Sequence, residues 1–459
     1  MDDRIDPRVR RMLEAPVVPT VLAMAWPNVL MMVVQSGTGF VEAWFLSRLG
    51  TQALAGSALV LPLIMLMQNM SQGAMGGGVS SAIARALGAG RRNEADSLAL
   101  HAVLIAVALG LGFTLLVLLA GPRLYAFLGG RDRSLAAALA YSNVVFAGIV
   151  LMWTMNTLAS VVRGTGNMLG PGAVVCGGAL LLVPLSPCLI FGIGPLPALG
   201  IAGAGAALLA YYGAGTLVLG WYVASGRSSA RLRRGALRRE RFRSILGVGA
   251  LATVNSLQTN AMLALSTALV DAYAGTSAVA GYGIAARLEY LVAPLAFGIG
   301  APLVALVGAN RGAGQPERAR RITAAGGALA FACAGAVGAA AACWPMAWLG
   351  LFSSEAAVLR TGTNYLGTVA PFYGFFGMGW ALYFASQGAR RLKWPLLAGF
   401  ARLALSVGGG WAVLHFTGSL ALFFATAAAA MALYGLVIAA AASSRGGWFP
   451  IAAPAHGRD

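Results

Sequence analysis

The chain is a succession of long apolar stretches separated by short polar breaks. Runs with no Asp, Glu, Lys or Arg cover 49–84, 134–162, 164–226, 244–270, 290–310, 322–354, 361–389 and 403–444. About 20 apolar residues in a helix cross the bilayer core, so the longest runs hold two crossings each. The pattern predicts twelve spans, at 17–47, 52–83, 97–121, 134–162, 168–193, 198–224, 244–271, 277–309, 322–346, 357–389, 394–415 and 418–443. They are too long for barrel strands, and unpaired backbone groups are costly in lipid, so each span is expected to be helical.

Composition supports this reading. Of 459 residues, 59% are hydrophobic and 10% charged, against roughly 25% charged in a soluble domain. The formal net charge of +18 would ordinarily raise the question of a nucleic-acid partner. Placed on the span map, however, 25 of the 32 Lys and Arg residues fall on one side, five on the other, and Arg287 and Arg402 within spans. This asymmetry follows the positive-inside rule and predicts a plasma-membrane protein with both termini in the cytoplasm. Cys176, Cys188, Cys333 and Cys343 all fall within spans and read as small packing residues, not as a disulfide framework or a metal site. The polar first 15 residues lack the apolar core and cleavage site of a signal peptide.

The Arg-rich run Arg227–Arg243 lies between the sixth and seventh spans and divides the chain into 1–225, a cytoplasmic linker at 226–243, and 244–459. The two halves share a register. Gly50-Thr51 and Ala53 to Gly56 recur at Gly275-Thr276 and Ala278 to Gly281, an offset of 275 − 50 = 225. Gly88-Ala89-Gly90 recurs at Gly312-Ala313-Gly314, and Gly164 and Pro171 recur at Gly388 and Pro395, all at offset 224. Six spans per half bring the chain back to its starting side, so the repeats are parallel, a transporter architecture with the substrate path between halves. The expected fold is therefore an all-α integral membrane protein of twelve transmembrane helices in two pseudo-symmetric six-helix lobes. Pro27, Pro62, Pro184, Pro187, Pro294 and Pro302 interrupt spans, where proline removes a donor and bends the helix.

Carboxylates inside spans are expensive and mark function; Glu42, Asp271 and Glu289 are the acidic residues in or at the ends of spans. Glu42 is the first candidate, in the outer part of span one with Asn28, Gln35, Ser36 and Thr38 on the same helix. A carboxyl group in a poorly hydrated cavity is suited to exchanging a proton. Glu289, with Arg287 and the outer-end Asp271, is a candidate second site, although residues two apart do not share a helix face. Gln35, Asn156, Tyr282, Phe372, Phe376 and Trp380 are candidates for a substrate cavity, where ring faces can hold lipophilic cations; core packing is the competing reading. His101, His415 and His456 show no metal-ligand spacing, and no phosphate-cradling loop is present. Gly76-Gly77-Gly78 reads as close helix packing. The expectation is a non-enzymatic carrier that needs no cofactor.

The motifs Glu42-Ala-Trp-Phe-Leu-Ser-Arg-Leu-Gly50, Ser80 to Gly90 with Glu94-Ala95, Arg163-Gly-Thr-Gly166 before Pro171, Pro187-Cys-Leu-Ile-Phe-Gly192, Gly200-Ile-Ala-Gly-Ala-Gly205, Ala280-Gly-Tyr-Gly-Ile-Ala285 and Gly308-Ala-Asn310-Arg-Gly-Ala-Gly314 together resemble the multidrug and toxic compound extrusion family, in particular its DinF-like branch. The resemblance implies twelve helices in two lobes and export of drugs or metabolites in exchange for H⁺ or Na⁺. It places Glu42 where the family carries its first-helix acid and makes Pro27 a hinge. In helix five the usual Asp-Pro reads Ser186-Pro187, leaving Glu42, Ser186 and Asn28 as the ion-coupling set. One carboxylate suits a proton better than Na⁺, which wants several oxygens. The expectation is a monomeric antiporter exporting cationic or amphiphilic compounds through the lipid bilayer. A lipid-linked precursor flippase of the same superfamily and a non-transporting membrane scaffold are the alternatives.

Overall fold

The computed structural model describes residues 6–193, 197–233, 235–444 and Trp448. Arg4, Arg234, Arg445 and Arg458, counted above on the cytoplasmic side, lie outside the described residues. Among the described residues there is no strand. In chain order the helices are α1 (Pro7–Glu14), α2 (Val17–Ser47), α3 (Thr51–Gln68), α4 (Gly76–Gly88), α5 (Arg92–Phe127), α6 (Asp132–Ala147), α7 (Ile149–Gly164), α8 (Leu169–Phe191) and α9 (Ile201–Ala224). There follow α10 (Arg239–Ala286), α11 (Glu289–Gly312), α12 (Pro316–Cys343), α13 (Pro345–Leu349), α14 (Ala356–Val369), α15 (Tyr373–Ala389), α16 (Lys393–Leu403), α17 (Gly410–Thr417) and α18 (Leu420–Ser443). A π-helical segment, Asn69–Met75, joins α3 to α4, and another, Ala404–Gly409, joins α16 to α17.

Ten helical runs among the described residues are each long and apolar enough to cross a membrane, and α6 with α7 form another, bent by 48°. Helices α14 and α15, joined by the 3-10 turn Ala370–Phe372, complete twelve crossings. The spans expected at 244–271 and 277–309 need one refinement. They part at Gly275, whose non-helical backbone (φ 75°, ψ −179°) sets a kink between two helices within α10, 239–274 and 276–286, and the second of these is interrupted again at Arg287 and Leu288 before α11.

The duplication is written into the backbone. Gly50 (φ 104°, ψ 169°) and Gly275 (φ 75°, ψ −179°) occupy the same conformation, one essentially restricted to glycine. Positive φ recurs at Gly90 and Gly314, at Gly166 and Arg390, and at Gly192 and Gly418. Helix starts repeat as well: 316 − 92, 373 − 149 and 393 − 169 all equal 224 for the pairs α5/α12, α7/α15 and α8/α16.

The chain forms two compact units, one holding the chain up to Val9 with Leu30–Ala250, the other Arg10–Val29 and the chain from Leu251 onward. In the first, α7 packs on α4, α5 and α9; in the second, its counterpart α15 packs on α11, α12 and α18. Small residues permit this closeness. A Cβ on Gly164 would sit 3.0 Å from the carbonyl oxygen of Ser80, and one on Gly388 would sit 2.7 Å from that of Val304. Both partners and both glycines are related by 224, since 304 − 80 and 388 − 164 agree. The triple glycine of α4 behaves as expected, with Gly78 facing the carbonyl of Ile245 at 2.7 Å from its notional Cβ.

The Arg-rich segment lies along the first unit. Ser229 donates its hydroxyl to Asp6 (2.5 Å), the Arg231 backbone N–H bonds Asp96 (2.7 Å), and that of Arg238 bonds His101 Nε2 (3.0 Å).

The glycine contacts give a direct test of the packing. Gly164→Ala and Gly388→Ala should each destabilise the protein by about 1–3 kcal/mol through overpacking against backbone, lowering the thermal midpoint in detergent. Gly112→Ala, where a Cβ meets nothing within 4 Å, should leave the midpoint unchanged or raise it slightly.

Candidate functional site

In the first unit the site begins at Glu42, on the C-terminal half of α2. The residue is half-buried; its Oε1 is removed from solvent and has no hydrogen-bond partner among the described residues. The carboxylate is close enough to act electrostatically on Tyr141 of α6 and on Tyr211 and Tyr212 of α9, all buried. The Tyr211 and Tyr212 rings are 5.0 Å apart. Tyr211 reaches its place because α8 carries Gly178 opposite it: a Cβ there would lie 2.3 Å from the ring. The acid of α2 thus lies within electrostatic reach of three phenols carried by α6 and α9, one of which α8 makes room for. The sequence reading missed these tyrosines. Their signal was the adjacent phenols of an otherwise Gly- and Ala-rich span, but nothing local says which face of α9 meets α2.

Asn28, the other member of the proposed coupling set on α2, does not share a shell with that carboxylate. Asn28 is buried, but 42 − 28 = 14 residues of one helix correspond to about 21 Å of axial rise. Ser186, on α8, is fully buried and its Oγ has no hydrogen-bond partner among the described residues. Pro27 sits inside the continuous helix α2, two residues before the chain passes from one compact unit to the other at Val29. Gln35 is half-buried, and Thr38 spends its hydroxyl on the carbonyls of Val34 (3.1 Å) and Gln35 (2.8 Å). Asn156 belongs to a polar seam: its amide donates to Ser71 Oγ (2.8 Å) in the π segment, and Ser80 Oγ donates to the Ser160 carbonyl (2.7 Å).

The second unit holds the remaining candidates. Asp271 and Arg287 are exposed, and Glu289 does not pair with Arg287; its carboxylate accepts a hydrogen bond from the hydroxyl of Tyr365. Tyr282 stands edge-on to Tyr365 at 5.3 Å and stacks on Phe424 at 6.3 Å. Of the aromatics suggested for a cavity, Tyr282 and Phe376 are core residues, and Phe372 and Trp380 pack against that core. Packing therefore accounts for this group better than an open cavity does, with one exception at Phe376. The guanidinium of Arg402 lies over its ring at 4.8 Å and over that of Tyr434 at 5.5 Å.

The MatE family model matches residues 27–188 and 251–412. Its two matches stand 251 − 27 = 224 and 412 − 188 = 224 residues apart, the register of the internal repeat. The chain belongs to the MatE family. Members of this family are multi-pass membrane transporters of small molecules, not enzymes. Among curated relatives, the FAD transporter of Shewanella oneidensis is 29% identical over 329 residues, covering 68% of this chain and 69% of its own. The "Probable multidrug resistance protein NorM" of Thermotoga maritima is 26% identical over 390 residues, covering 83% and 82%. Of solved structures, a MOP superfamily transporter from Pyrococcus furiosus superposes with a TM-score of 0.88 at 22% identity, covering 95% of this chain and 97% of its own. An outward-facing MATE transporter superposes at 0.85. Both MatE repeats thus carry the same frame, while Glu42 stands in the first repeat opposite Thr267 of the second.

The tyrosine pocket can be perturbed without touching the acid. In Gly178→Ala the new methyl group would meet the Tyr211 ring. The variant should keep its membrane insertion and monodispersity but lose transport by about tenfold through misplacement near Glu42, measured as substrate flux in proteoliposomes.

Proposed function

We propose that this MatE protein is a secondary active exporter of small organic compounds, cationic or amphiphilic, driven by antiport with H⁺ rather than Na⁺. One observation carries this reading: Glu42 is half-buried on α2 within electrostatic reach of Tyr141, Tyr211 and Tyr212, and its Oε1 is closed to solvent with no hydrogen-bond donor among the described residues. An uncompensated carboxylate is costly in such surroundings, whereas its neutral acid form is not. Loading and releasing a proton therefore changes how the pocket can pack and how readily water or substrate enters it. Na⁺ would need several oxygen ligands around it, and one carboxylate with three phenols offers few.

Energy for export then comes from the proton gradient, with no cofactor. The charge asymmetry of the loops supports a plasma-membrane location with both termini and the 226–243 segment in the cytoplasm. A monomer suffices, because both repeats are present in one chain. The kinship with the Shewanella FAD transporter adds flavin dinucleotide, an amphiphile, to the compounds worth testing beside lipophilic cations such as ethidium.

Purified protein in proteoliposomes, loaded with ethidium and followed for substrate-stimulated proton movement, tests the reading. Wild type should exchange ethidium for protons, and Glu42→Gln, which cannot ionise, should lose about 100-fold or more of the proton-driven flux. Persistence of flux with its pH dependence intact in Glu42→Gln would overturn the mechanism. Accumulation driven by a Na⁺ gradient alone would reassign the ion.

A further inference from the structure

The Arg-rich segment between the two repeats has no part in proton exchange, yet it carries the densest charge in the chain. Residues 227–243 hold eight arginines against one acid, Glu240, a formal charge of 8 − 1 = +7. Cations this crowded repel one another and call for counter-charge. The two carboxylates hydrogen-bonded to the segment do not supply it. Asp6 takes the Ser229 hydroxyl and Asp96 takes the Arg231 backbone N–H, and neither accepts from a guanidinium of the segment. Among the described residues the ion pairs are Arg10 with Glu14 and Arg91 with Glu94, and no arginine of the segment joins one.

The backbone is nevertheless held in place. Ser228, Ser229 and Ala230 are buried, Arg238 donates its backbone N–H to His101, and Phe242 stands edge-on to the same imidazole at 4.6 Å. Arg227, Arg233, Arg238, Arg239 and Arg243 stay exposed. The segment is thus a fixed strap that presents cations without partners. Its surroundings fit a lipid headgroup layer. It runs from the end of one membrane-crossing helix, α9, to the start of another, α10. Arg227 lies 4.4 Å over the ring of Trp221 on the last turns of α9. Trp221 and Leu237 are 57% and 61% exposed, and tryptophan at the end of a span sits at headgroup depth. Arg239 and Arg241 occupy the first turn of α10, where the helix dipole disfavours a cation and favours an anion. A phosphate there would relieve both the dipole and the guanidinium groups.

We infer that 227–243 is a docking surface for anionic phospholipid headgroups of the cytoplasmic leaflet, with Arg233, Arg239 and Arg243 on lipid phosphates and Trp221 and Leu237 entering the acyl boundary. The inference rests on the cytoplasmic placement of this segment. Guanidinium forks match phosphate oxygens, and basic clusters beside a span are drawn to anionic lipid.

Purified full-length protein in a non-ionic detergent is titrated with phosphatidylglycerol and with phosphatidylcholine, and retained lipid is counted by native mass spectrometry. Wild type should hold phosphatidylglycerol about tenfold more tightly than phosphatidylcholine in about 0.05 M ammonium acetate, and lose most of that preference in about 0.5 M. Combining Arg233→Gln, Arg239→Gln and Arg243→Gln should weaken phosphatidylglycerol binding by about tenfold and leave phosphatidylcholine unchanged. Removing as many exposed cations elsewhere, with Arg390→Gln, Arg391→Gln and Lys393→Gln, should change it by less than about twofold. Unchanged phosphatidylglycerol affinity in the first variant would overturn the inference, as would equal losses in both variants, the mark of diffuse surface charge. If the first variant fails to fold, a wild-type preference that survives the higher salt has the same force. Tighter binding of a short single-stranded RNA than of phosphatidylglycerol would assign the segment to nucleic acid and sink the lipid surface. Because binding is read in detergent, its failure leaves the exporter and its topology standing. Labelling of Ala236→Cys, in a Cys343→Ser background, by an impermeant maleimide from outside intact cells would instead sink the cytoplasmic placement.

Discussion

In hydrocarbon every backbone N–H and C=O must find its partner within the chain, because no water is there to take it. Helices satisfy that demand one by one, but they attract one another weakly when lipid is as apolar as their side chains, so close approach has to come from the absence of side chains. The glycines at 164 and 388 meet the carbonyls of Ser80 and Val304 at equivalent places in the two repeats. Gly56 against Ala137 and Ala138, and Gly281 against Val358, Thr361 and Gly362, make a second such pair. The frame that carries every site in the molecule depends on these contacts, and selection for them accounts for the Gly-rich motifs that the repeats share.

On this common frame the two halves have taken different chemistry. The first holds a carboxylate, Glu42, within electrostatic reach of three phenols, and the equivalent of that acid in the second is Thr267. The second holds a buried cation, Arg402, on the faces of Phe376 and Tyr434, at the position that the first gives to Gly178. Glycine admits the Tyr211 ring, whereas arginine lies over the Tyr434 ring. Divergence of this kind costs the fold little, because both positions face the inside of their own bundle and leave the glycine contacts alone.

The crossings, their helical nature, the duplication and its register of 224 were all legible in the chain, because each is a property of local apolar length and of glycine placement. That Glu42 would turn at least one carboxylate oxygen away from solvent was foreseeable for the same reason, since an acid in a span must go somewhere. Less was legible where a side chain's role depends on what faces it. Phe372, Phe376, Tyr282 and Trp380 looked like a cavity lining and belong to a packed core or its border. Asn156 looked available and is bonded to Ser71. Arg287 and Glu289, two residues apart, went separate ways, one exposed and the other to Tyr365.

What the sequence determined by itself is therefore the membrane architecture: apolar length sets the spans, and repeated glycines set the repeat. Only the tertiary structure decided the partners, with Tyr141, Tyr211 and Tyr212 brought within electrostatic reach of Glu42, and Arg402 placed over the rings of Phe376 and Tyr434. The physical reason is that a helical period leaves several faces open to each residue. Which face is used depends on the crossing and rotation of helices far apart in the chain, and no local pattern records that.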